Sequence, residues 1–125
     1  MPWWNREIVR RTNLTAGASP VHVDSDPVAV TDGARAAEAR GFLEVERIDA
    51  IAEVRVIRSG GASSDDLRPL DVSPILTMTA AGVDVIPWPL PPPACLRTRI
   101  ECARTGGVGS VTAVVRVIQT CRSDR

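Results

Sequence analysis

Few residues of this 125-residue chain have the potential for chemistry. His22, the one histidine, alternates with Asp24 and Asp26 in VHVDSD, so on an extended strand all three side chains project from one side, as metal ligands do. One extended segment without a second ligand cluster reads as a solvated strand face, and no metal is expected. Asp65 and Asp66 in RSGGASSDD are adjacent, whereas a calcium loop spaces its oxygen ligands. A hydrolase needs a nucleophile beside a base, yet no serine is framed by glycines as in a nucleophile elbow. Glu44 and Glu46 alternate along FLEVER and read as an outward strand face, not as an acid and base across a cleft. Cys95, Cys102 and Cys121 form no CxxC pair, which argues against a structural zinc site. No catalytic residue and no cofactor is expected, and the chain reads as non-enzymatic.

Composition narrows the partners. The 15 basic residues, all arginine, are balanced by 15 acidic ones, which gives nucleic acid no electrostatic footprint. Aromatic residues are 3% of the chain and tyrosine is absent, so a stacking platform for bases or sugars is poorly supplied. The start, MPWWNREIVRR, lacks the apolar stretch of a signal peptide, and no run approaches the ~20 apolar residues of a membrane span. A soluble protein made in a cytoplasm, with no membrane partner, is the expectation. One domain's worth of chain with ten prolines and nine glycines suggests many turns between short strands.

The strongest pattern lies at Ala94 to Cys121. Leu96, Thr98, Ile100 and Cys102 share one parity while Arg97, Arg99 and Glu101 take the other; further on, Val111, Ala113, Val115 and Val117 form an apolar row. Gly106, Gly107 and Gly109 between them permit a reversal, so the two arms read as a hairpin. Apolar faces on one side require a register such as Leu96 opposite Gln119 and Cys102 opposite Ala113. That register places Cys95 on the solvent parity and Cys121 on the core parity, with no intrachain disulfide.

The remainder divides into an extended N-terminal arm, residues 1–27, and a sandwich domain, residues 28–125. In the arm, Trp3 and Trp4 stand beside Arg6, Arg10 and Arg11. The two tryptophans need a surface to cover, either this domain's own core or a neighbouring subunit. Val28 to Gly41 holds a short strand and then a turn or helical passage. Residues 42–57 read as two strands, Leu43 and Val45 then Val54 and Val56, with one amphipathic helix as the competing pattern. GGASSDDLRPLD is a loop, Ser73 to Thr79 and Val83 to Ile86 are strands, and Pro87 to Pro93 runs as polyproline II carrying Trp88. Trp88 is a partner contact or a lid. The fold class is all-β: one antiparallel β-sandwich, jelly-roll-like, with an N-terminal arm.

From Arg40 to Gln119 the succession ARGFLEV, RSGGASSDD, TAAGVDVIPWPL and CLRTRIECARTGG, closed by a valine-rich strand, resembles small jelly-roll structural proteins of tailed bacteriophages. These include capsid decoration (cement) and head-fibre or spike-base proteins. The resemblance implies a virion structural protein, located on the capsid surface and synthesised in a host cytoplasm. It implies the major capsid protein or other virion proteins as partners, and a homotrimer as the assembly. Trp3, Trp4, Arg6, Arg10 and Trp88 are the partner-binding candidates. A neck or tail component is one alternative; a carbohydrate- or surface-binding module is the other, and such a module displays several exposed aromatics where this chain offers Trp3, Trp4, Trp88 and Phe42.

Overall fold

A computed structural model describes residues 3–29, 40–87 and 93–122. Ten strands follow in chain order: β1 (Trp3–Ala16), β2 (Val21–Asp24), β3 (Val28–Ala29), β4 (Arg40–Ile48), β5 (Ala52–Gly61), β6 (Arg68–Pro69), β7 (Leu76–Met78), β8 (Gly82–Ile86), β9 (Cys95–Arg104) and β10 (Val111–Arg122). The first sheet has the order β1-β10-β4-β8. The second has the order β2-β9-β5-β6, with β3 also on β9 and β7 also on β5. All of these pairings are antiparallel. With β2 and β3 taken as one interrupted strand, and β6 and β7 as another, this is the eight-strand order of a jelly-roll β-sandwich, the class expected.

Alternation builds the core. Leu43 and Val45 of β4, Val54 and Val56 of β5, Ile100 and Cys102 of β9, and Val111, Ala113, Val115 and Val117 of β10 are all buried in one cluster between the sheets. Each of the valines, leucine and isoleucine among them gains about 1.5–3 kcal/mol from leaving water. Burial also pushes the Cys102 thiol above its ordinary pKa. Residues 42–57 form two strands, one in each sheet, and the competing helix does not form.

The terminal hairpin is the main correction. The inward parity of both arms is as expected, but β9 and β10 lie in opposite sheets and are not laddered to each other. Leu96 pairs with Gly60 and Val28, and Cys102 with Val54 and Val21. Gln119 pairs with Gly41 and Arg6, and Ala113 with Ile48 and Leu14. Facing each other across the sandwich buries the same two apolar rows that a hairpin would. It also gives each arm a partner on both sides, so main-chain groups on both edges are satisfied. Residues 105–110 cross between the sheets, with Gly107 and Gly109 at positive φ and the Arg104 guanidinium donating 2.6 Å to the Gly109 carbonyl. A six-residue crossing easily spans the ~10 Å between packed sheets. Cys95, expected on the solvent side, is buried at the rim of the sandwich; it and Cys102 are free thiols.

The N-terminal strands lie along both sheets. β1 is laid along β10 from Trp3 opposite Arg122 to Ala16 opposite Val111, and β2 along β9. Val9, Leu14 and Ala16 are buried, so this stretch supplies core as well as an edge strand to each sheet. The helical passage expected within 28–41 falls largely outside the described residues. At the opposite side, β5 turns back into β6, and Gly61 closes that reversal: a Cβ there would stand 1.7 Å from the Asp66 carbonyl oxygen.

Candidate interaction site at the open edge

β1 edges the first sheet and β2 the second, and between them runs a solvent-open cleft of about 490 Å³. Ile8, Val9 and Val23 form its floor, Arg6, Glu7, Arg10 and Thr12 line the β1 side, where Glu7 lies 3.6 Å from Arg116, and Asp24 and Asp26 line the β2 side. Two bulges aim the β1 side chains. One extra residue intervenes between Glu7 and Val9 and another between Val9 and Thr12, and each bends the strand and resets its alternation. The Thr12 hydroxyl donates 2.6 Å to the Arg10 carbonyl within the second irregularity. As a result Arg10 faces the cleft while Arg11, its neighbour, crosses to Glu46 on the outer face, donating at 2.5 and 3.1 Å. Glu46 can meet it because β4 is itself irregular there, between its pairings to Val114 and Val115.

The β2 wall is fixed by Ser25. Its amide donates 2.8 Å to the Thr98 carbonyl, and its hydroxyl accepts from the Thr98 amide at 3.0 Å, so Asp24 and Asp26 are held outward on either side of a buried anchor. The Arg99 guanidinium donates to both Asp24 oxygens, at 2.8 and 3.2 Å, and holds that carboxyl below the ordinary aspartate range. His22 Nε2 lies 4.0 Å from Asp24. Among the described residues no three histidine, cysteine or carboxylate side chains converge as a metal site would require, and Asp24 serves Arg99. Arg6 and Arg10 have no ion-pair partner among the described residues.

Two further features were missed by sequence reasoning. On the outer face of the first sheet, Ile118, Phe42 and Val85 fall in one cross-strand row beside exposed Val83. The row is bordered by Arg116, which donates 2.6 Å to Glu44 and lies 3.6 Å from Glu7. This row exists only in the register and has no signal along the chain. The second is Arg58, which continues the inward parity of Val54 and Val56. Its amide and Nε donate to one Asp71 oxygen at 3.0 and 3.2 Å, its Nη2 donates to the other at 3.1 Å, and its Nη1 donates to the Pro87 carbonyl. Parity did point to it. The adjoining void, about 10 Å³ between Ile8, Ile86, Leu96 and Gln119, holds one water at most and no ligand.

Of the five candidate contact residues, the structure brings Arg6 and Arg10 together in the cleft. It joins them there to Asp24 and Asp26, which the sequence had offered only as rejected metal ligands. Trp3 and Trp4 begin β1, with their main chains opposite Arg122 and Cys121. Trp88 lies outside the described residues.

No protein-family profile matches the chain, and no curated protein matches it by sequence. Among solved structures it is similar to one described as T=1 particles derived from infectious bursal virus, at 7% identity and a TM-score of 0.63, over 98% of this chain and 32% of that one. It is similar to a VP2 subviral particle of infectious bursal disease virus at 9% identity and a TM-score of 0.58, over 98% and 33%. A third, the Gx strain of that virus, has 11% identity and a TM-score of 0.56, over 95% and 31%. The chain thus spans about a third of the length of these proteins. At such identities the likeness is one of fold: the jelly roll of this chain is a fold also found in proteins of virus particles.

Proposed function

We propose that this chain is a non-enzymatic structural subunit of a virion, working through protein–protein contacts spread along its open edge. The carrying observation is the cleft between β1 and β2: a cationic wall, an anionic wall and an apolar floor, flanked by two strand edges. Such a surface suits an extended segment of a neighbouring protein, through side-chain ion pairs and edge contacts. The likeness of fold to proteins of virus particles supports the reading, at the level of architecture. In its finer form the protein decorates and stabilises a tailed-phage capsid, sitting as homotrimers on the capsid surface with the major capsid protein as partner.

Co-sedimentation with purified candidate shells tests it. The protein pellets with shells, and an Arg6→Glu, Arg10→Glu double variant pellets several-fold less while keeping the wild-type melting curve. A protein that stays in the supernatant with every shell overturns the reading.

A further inference from the structure

The walls of the edge cleft are antisymmetric in charge. Arg6 and Arg10 are exposed on the β1 side, where the one carboxylate, Glu7, lies 3.6 Å from Arg116, and Asp26 is exposed on the β2 side next to Asp24, whose charge Arg99 already answers. A two-fold axis parallel to these strands turns a second copy over, so that its β2 comes against this copy's β1 and its β1 against this copy's β2. The cationic wall then meets an anionic wall twice in one contact, which is the self-complementarity an isologous interface requires. The same rotation lays the floor residues Ile8 and Val23 of the two copies toward each other. An axis running from one sheet to the other would instead set β1 on β1 and arginine on arginine, a like-charge arrangement that opposes association. The bulges of β1 interrupt the regular edge on which an open-ended ladder of strands would grow, and leave side chains to lead the contact.

We propose that this edge binds a second copy of the chain through that two-fold contact, with Arg6 and Arg10 of each copy against Asp26 of the other. The inference rests on the reading of the protein as one that works through protein contacts, and it names the partner of this surface. A contact of this kind joins two lone chains or two neighbouring trimers equally well.

Sedimentation velocity on the full chain tests it. At low ionic strength the mass is twice that found at about 1 M salt, where exposed charges are screened within ~3 Å. The double variant Arg6→Glu, Arg10→Glu has two anionic walls and the variant Asp26→Arg two cationic ones. Each alone keeps the lower mass at low salt, and an equimolar mixture recovers the doubled mass, since opposite walls face each other again. A wild-type mass that does not double, a doubling that salt leaves unchanged, or a mixture that stays at the lower mass overturns the proposal. The salt dependence of the wild type stands even where a variant fails to fold. Shell binding is scored separately: lost pelleting with an intact doubled mass sinks the virion reading alone, and retained pelleting without doubling sinks the two-fold contact alone.

Discussion

β1 contributes to two surfaces built by opposite rules. Toward the interior it presents Val9, Leu14 and Ala16, buried in the core where β1 packs on β9 and β10, and what matters there is volume and parity. Toward the cleft it presents Arg6 and Arg10, exposed, where charge and direction matter. Stability and association should therefore separate: changes to the interior move the melting temperature and leave the mass in solution alone, and changes at the edge do the reverse.

The largest expected effect is at the buried end of the interior. Asp71→Ala leaves the Arg58 guanidinium buried without its carboxylate, and is expected to destabilise by about 3–5 kcal/mol in urea unfolding. Loss below about 1 kcal/mol would show that the pair is open to water. Next, Leu43→Ala empties a fully buried site and is expected to cost about 2–5 kcal/mol while the low-salt mass is unchanged. A Leu43 variant that also lost the doubled mass would merge the two surfaces. The smallest effect belongs to Asp24→Asn on the cleft wall. Because Arg99 depresses the folded-state pKa of Asp24, the stabilisation is present above the unfolded value of about 3.9 and is lost as pH falls through the folded value. Wild type should exceed Asp24→Asn by up to about 1 kcal/mol at neutral pH, with the two curves converging in acid. A gap that widened in acid would contradict the ion pair.

Parity was legible in the sequence, and partnership was not. The inward rows Leu43 and Val45, Val54 and Val56, Ile100 and Cys102, and Val111 to Val117 follow from alternation alone, which depends only on each strand. Whether β9 and β10 ladder or face each other is invisible to alternation, because both arrangements bury identical rows. Only the jelly-roll order, in which consecutive strands mostly change sheets, distinguishes them. β1 was concealed for a different reason: its two bulges break the period that would have revealed Val9, Leu14 and Ala16 as one face. The cleft was illegible because its walls come from different sheets. Arg6 and Arg10 were recognised as contact residues, and Asp24 and Asp26 as an alternating pair, but nothing along the chain joins the two.

The ladder between β1 and β10 also has a bearing on how the molecule forms. β1 has to wait for β10, far along the sequence, and loop-closure entropy makes such non-local pairing slow. Until β10 arrives, Val9 and Leu14 have no ladder partner and β1 stays unpaired. In that interval the three arginines Arg6, Arg10 and Arg11, with Glu7 among them, place charge on the unpaired strand, and charge on such a strand opposes its pairing with other chains.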